Sequence, residues 1–121
     1  LDLSDATMNP KYRILAKKYC EEAIKKFYDE NNKIFQKNEK IKNDIFMNPI
    51  DISDNTLPNA NSIMLINLSR LGYKDQAKEL SISLNGYLNI YKNFMTSSLK
   101  ALDFFKEISS GKNCNTEGCK I

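Results

Sequence analysis

The sequence predicts an all-α fold of antiparallel helical hairpins, and three observations carry that prediction. Apolar residues recur at spacings of three and four in separate windows along the chain. Residues that start and stop helices, Asn9-Pro10, Gly72 and Gly111, punctuate those windows. Between them, no run shows the sustained alternation of a half-buried strand. The helical windows fall within residues 1–110, and residues 111–121 read as a loop-like tail carrying a Cys pair.

The first helix is expected to begin at Asn9-Pro10, because Asn caps exposed amides and Pro is preorganised for the first helical position. Tyr12, Leu15, Ala16, Tyr19, Ala23 and Phe27 then form one stripe, with Lys17, Lys18, Glu21, Glu22, Lys25 and Lys26 mostly opposite. The pattern fails at "YDENNK", where Asn and Asp favour turns, so the helix should end near Tyr28 or Asp29. From Ile34 to Ile52 the helical period is lost, and fragments such as "KIFQ" and "DIFMNPI" read as extended or irregular. Pro49 forbids a central strand there.

Past Pro58, the residues Ile63, Met64, Leu65, Ile66, Leu68 and Leu71 are apolar on nearly every face of a helix that stops at Gly72. Such a helix is expected to be buried all round, which implies more protein about it than four helices supply. A third helix follows the stripe Ala77, Leu80, Leu84, Tyr87, Leu88 and Tyr91, with Asp75 near its positive dipole end and Gly86 inside it at about 1 kcal/mol. A fourth runs from Ser97 or Ser98 through Leu99, Leu102, Phe105 and Ile108 to Gly111. Short links between the last three make antiparallel neighbours.

Composition excludes several functions. The chain has 121 residues, 41% of them hydrophobic and 27% charged, as in one small water-soluble domain, and no apolar run approaches the ~20 residues of a membrane span. The opening "LDLSDATMNP" has neither an initiating Met nor signal-peptide character, and we read the chain as a piece of a longer protein. Its net charge of +3 comes from 18 basic and 15 acidic residues that are intermixed. The densest basic stretch, "KIFQKNEKIK", lacks the Arg and stacking aromatics of single-strand binders, so a nucleic-acid partner is not expected. With no His in the chain, the usual general base, the commonest metal ligand and every Ser-His or Cys-His pair are missing. Three Cys without secretory features argue against a disulfide framework and for a reducing, cytoplasmic location.

The polar residues that stand out lie in "DISDNTLPNANS", just ahead of the apolar helix. Asp54, Asn55, Asn59, Asn61 and Ser62 gather at a helix entrance, where free amides and the dipole favour anions and hydroxyl-bearing ligands. Two readings stand side by side: helix capping and turn formation, or a rim that hydrogen-bonds a sugar or similar polyol. Cys114-x4-Cys119 reads either as loose thiols or as a redox or half-metal pair, although no further ligands accompany it and a structural zinc needs four. Cys20 lies beside the first stripe, as a small buried hydrophobe would. No motif calls for a cofactor, and no catalytic residue can be assigned.

The stretch "DNTLPNANSIMLINLSRLGYKDQAKEL" resembles the C-terminal part of the thioredoxin-domain-containing proteins of the spermatogenesis-associated type. That family reads Asp-Gly/Asn-Ala-x-Pro-Ser-Gly-Asn-Ser before an apolar helix ending in Arg-Leu, and Asp54, Asn55, Pro58, Asn61, Ser62, Arg70 and Leu71 match it. "YCEEAIKKFYDENNKIFQ" and "ALDFFKE" extend the likeness to about residues 10–107. It departs at Asn59-Ala60, where the family has Ser-Gly, and in the tail, where the family's α/β segment is missing before its closing Cys-x4-Cys.

The resemblance implies that the chain is a segment of an α/α toroid of six hairpins, like that of sugar epimerases and glycosidases. It also implies a thioredoxin-like domain elsewhere in the protein. The loop Asp54–Ser62 would then line the cavity and contact a sugar or polyol. The other expectation is a non-catalytic structural or interaction module. In either case the partners are the remainder of the same protein, and the isolated segment is expected to be inactive and prone to self-association.

Overall fold

In a computed structural model, residues 1–39 and 49–111 are described, together with the strand residues 114–115 and 118–119. Five α-helices dominate among the described residues: α1 (Asp2–Thr7), α2 (Pro10–Phe27), α3 (Ala60–Leu71), α4 (Lys74–Ile90) and α5 (Thr96–Ser109). Two small antiparallel pairs accompany them, β1 (Tyr28–Asp29) with β2 (Ile34–Phe35), and β3 (Cys114–Asn115) with β4 (Gly118–Cys119). The all-α class therefore holds. None of the described helices is long and apolar enough to cross a membrane.

Local chemistry sets most helix ends where expected. The Asn9 side chain accepts a hydrogen bond from the Lys11 amide at 3.0 Å, with Pro10 opening α2. Past the end of α3, Gly72 takes φ 83°, its N–H bonds Ser69 O, and the Tyr73 N–H bonds Leu68 O at 3.0 Å. That pair of bonds is a Schellman motif, and the positive φ is why glycine stands there.

The core forms around the buried side of α3. Leu65 and Leu68 of α3, Leu80 and Leu84 of α4, Met95 and Ala101 are fully buried, and each buried large side chain contributes about 1.5–3 kcal/mol. The hairpin β1–β2 closes one side with Tyr28, Ile34 and Phe35, the Tyr28 and Phe35 rings 5.1 Å apart and tilted by 60°. A turn built on Asp29, whose Oδ1 accepts from Asn31 N at 2.9 Å, leads into Lys33 at φ 56° and allows the reversal.

Four expectations need correction. First, α3 is not enclosed: Leu65, Leu68 and Ser69 are buried, but Ile63 is 43% exposed and Met64, Ile66 and Asn67 are half-buried. Its residues are apolar all round, yet α4 and α5 cover one side while α2 only partly covers another. Second, the α2 stripe is only partly covered: Leu15 and Tyr19 are exposed while Tyr12, Ala16, Ala23 and Phe27 are half-buried, and Tyr91 and Leu99 of the other stripes are exposed too. Third, α1 went unpredicted; its six residues carry no apolar stripe and bury only Ser4. Fourth, the loop-like tail contains the β3–β4 pair. The connector is extended, as expected, at Ile34–Phe35 and at the isolated Gln36–Ile50 bridge, and residues 40–48 of "DIFMNPI" and its approach lie outside the described residues.

Candidate functional site

The loop that precedes α3 lies between two helix N-termini. Asn59 is in extended conformation and caps α3: its Oδ1 accepts from the Ser62 amide and from Ser62 Oγ, both at 2.9 Å. The start of α5 has no side-chain cap of its own at Met95. Asp54 supplies it from the loop, its Oδ2 accepting from the Ser97 amide at 2.6 Å and its Oδ1 from the Ser97 hydroxyl. A carboxylate against free amides at the positive end of a helix is favourable in charge as well as in hydrogen bonding.

The two caps are joined into one knot. Asp54 Oδ1 also accepts from the Asn59 backbone at 3.0 Å and from Asn59 Nδ2 at 2.9 Å. Asn59 Nδ2 lies 3.0 Å from Ser97 Oγ and 3.2 Å from Ser98 Oγ, and Ser98 Oγ is 2.8 Å from Ser62 Oγ. The loop is further held by the Asp54 amide, which donates to Phe94 O at 2.7 Å. Burial pushes the Asp54 carboxyl up, but the bonds from Ser97 and Asn59 together outweigh it and hold it below the ordinary carboxylate value.

Asn61 belongs to a different set of contacts. It is fully buried; its Oδ1 accepts from Phe35 N at 2.9 Å, and its Nδ2 donates to Phe35 O at 3.0 Å and Asp51 O at 2.9 Å. Its amide thus pairs with Phe35 as a neighbouring strand would, fastening β2 and the loop to α3. Asn55 is exposed and takes part in none of these bonds.

Of the five predicted loop residues, the structure therefore brings Asp54, Asn59 and Ser62 together, sets Asn61 against β2, and leaves Asn55 on the surface. Sequence reasoning named Ser97 and Ser98 only as a helix start. The signal for more was present in "TSS" before an apolar helix, a run of capping residues that invites a partner.

The knot has little catalytic potential of its own. Ser97 has a carboxylate beside its hydroxyl, but a carboxylate stabilised in its charged form is a weak base, and there is no His to relay a proton. Among the described residues no group of three or more His, Cys, Asp or Glu gathers to hold a metal. Cys20 is buried as expected, and burial, with Glu21 nearby, raises its thiol to about 11, so it is an inert core thiol. Backbone register sets Cys114 opposite Cys119.

The other end of α3 carries a second polar constellation. Arg70 is 5% exposed, and its guanidinium reaches Asp2 through Nη1 and Asp5 through Nη2, each at 2.6 Å. Arg13 Nη2 donates to Arg70 O at 2.8 Å, satisfying a carbonyl of the last turn of α3. Arg70 Nε is buried and finds no partner among the described residues. The Arg70 hydrogen bond, then its charge, holds the Asp2 carboxyl below its ordinary value. Between α2 and α3 lies an open, mostly apolar cleft of about 170 Å³, lined by Ala16, Tyr19, Cys20, Met64, Asn67 and Leu71.

No family model, no curated protein and no solved structure matches the chain.

Proposed function

We propose that the chain is a non-catalytic helical unit of a larger α/α assembly, in which the polar loop ties helix ends together rather than gripping a substrate. The observation that carries this reading is the internal saturation of the loop. Asp54 accepts four hydrogen bonds, Asn59 uses both ends of its amide, and Asn61 is consumed by backbone groups of Phe35 and Asp51. Buried polar groups satisfied in this way hold a structure rigid, and a ligand would have to displace bonds already made. The open cleft between α2 and α3, with Tyr19 exposed in its lining, supports a place within a larger body, as does the exposure of Ile63 on α3. The six-hairpin toroid with a thioredoxin-like domain is the assembly that the resemblance proposes.

A second reading keeps the loop at the rim of a sugar or polyol cavity in that toroid. It is favoured by the outer side of the loop, where Ser53, Asn55 and Thr56 are exposed. Asn55→Ala in the full-length protein separates the two, because Asn55 lies outside the knot. The structural reading expects unchanged melting and unchanged binding across a panel of monosaccharides and polyols followed by calorimetry. Loss of binding with an unchanged melting temperature would sink it in favour of the rim.

A further inference from the structure

The tail carries the Cys pair that the helix-tying role leaves unused, and the backbone there is specific. Cys114–Asn115 and Gly118–Cys119 pair antiparallel, with Cys114 opposite Cys119 and Asn115 opposite Gly118. Residues directly opposite in an antiparallel pair share a face, and their Cα atoms stand ~4.5 or ~5.5 Å apart according to the type of pair. Both spacings fall inside the ~4.4–6.8 Å range that a disulfide accepts. β4 also lies against α3, so the hairpin is docked on the helical body.

We propose that Cys114 and Cys119 form a reversible dithiol–disulfide pair that clasps this hairpin, exchanging with a low-molecular-weight disulfide such as oxidised glutathione. In the exchange, one Cys thiolate attacks glutathione disulfide, forming a mixed disulfide and releasing one glutathione thiolate. The second Cys thiolate then attacks the protein sulfur of that mixed disulfide, closing the Cys114–Cys119 bond and releasing the second glutathione. Overall the protein loses two thiol protons and two electrons, and the glutathione disulfide becomes two thiols. Register makes the second step intramolecular, which is what lets closure compete with a reducing thiol pool. A metal-binding role for the same pair is short of ligands: the chain has no His, and its third Cys, Cys20, is buried in the core.

The test uses the full chain carrying Cys20→Ser, equilibrated in glutathione buffers of stepped ratio, acid-quenched, alkylated and weighed by mass spectrometry. The expected result is all-or-none labelling, in which chains carry two alkyl groups or none and singly labelled chains stay minor. Cys114→Ser and Cys119→Ser, made in the same background, should instead take up one glutathione, and only at a ratio at least about tenfold more oxidising. Circular dichroism should show the same helix content in every variant, so a folding defect would be seen. The proposal is overturned if the two thiols label independently at the ratio of the single variants. It is overturned equally if Zn²⁺ alone protects both thiols while no ratio closes a disulfide.

Discussion

The two ends of α3 each hold a distant segment of the chain, and they do so by opposite means. At its N-terminus short neutral side chains are buried together beside a half-buried carboxylate, Asp54: Asn59, Ser62 and Ser98 are each at most 1% exposed. At its C-terminus a long cation, Arg70, is buried, while its partners Asp2 and Asp5 remain 91% and 47% exposed. Bonds among Asn59, Ser62 and Ser98 are shielded from water, whereas those of the second constellation reach exposed carboxylates and are open to screening. The first therefore belongs to the fold, and the second is a clasp that holds a six-residue helix against it.

The largest effect should come from Asn59→Ala. That change leaves Ser62 N–H, Ser62 Oγ and Ser98 Oγ short of partners in a buried site, and should cost about 3 kcal/mol in chemical denaturation. A loss under about 1 kcal/mol would mean that the knot is more hydrated than its burial implies. Asn61→Ala should cost slightly less, about 2 kcal/mol, by freeing Phe35 N and O, and should raise amide exchange at Phe35 specifically.

Asp2→Asn combined with Asp5→Asn should cost only about 1 kcal/mol and should release α1, seen as fast amide exchange over residues 2–7. About 1 M salt should mimic that release in the unaltered protein while leaving Asn59 and Ser62 protected. If salt loosens both ends equally, the distinction between knot and clasp fails. Acid should act on both, because the Asp54 and Asp2 carboxyls are held below their ordinary values in the fold. Their contribution is fully present above about pH 4, the unfolded carboxylate value, and is lost as pH falls through the lower folded values.

The smallest change belongs to the alkaline side and to Tyr28. Burial, then its hydrogen bond to Glu79, raises the Tyr28 phenol. Its share of stability is complete below about pH 10, the unfolded phenol value, and drains away as pH rises toward the folded one. Tyr28→Phe should flatten that alkaline decline in a melting-temperature profile without altering the acid limb.

Several parts of this picture were legible in residues alone. The Asn9-Pro10 start, the Gly72 stop and the core residues Leu65, Leu68, Leu80 and Leu84 follow from capping chemistry and helical period. Capping by Asn59 was one of two readings of its loop. What was not legible was the partner of each polar group. Asp54 and Ser97 are 43 residues apart, Asn61 and Phe35 are 26 apart, and Arg70 and Asp2 are 68 apart. Nothing in "LDLSDAT" announces a helix clasped to a distant arginine, since α1 has neither an apolar stripe nor a side-chain cap.

By itself the sequence determined α2 to α5, most of their ends and which residues are apolar, because those depend on bonds and spacings within a few residues. Only the tertiary structure decided that α3 is covered on one side and open on another, and that Asp54 caps a helix other than the one that follows it. Those outcomes depend on which distant segments meet when the chain closes on itself. A carboxylate or an amide is equally able to bond water, a ligand or a neighbouring helix, and only the packing of α3 against α5 made Ser97 the nearest donor.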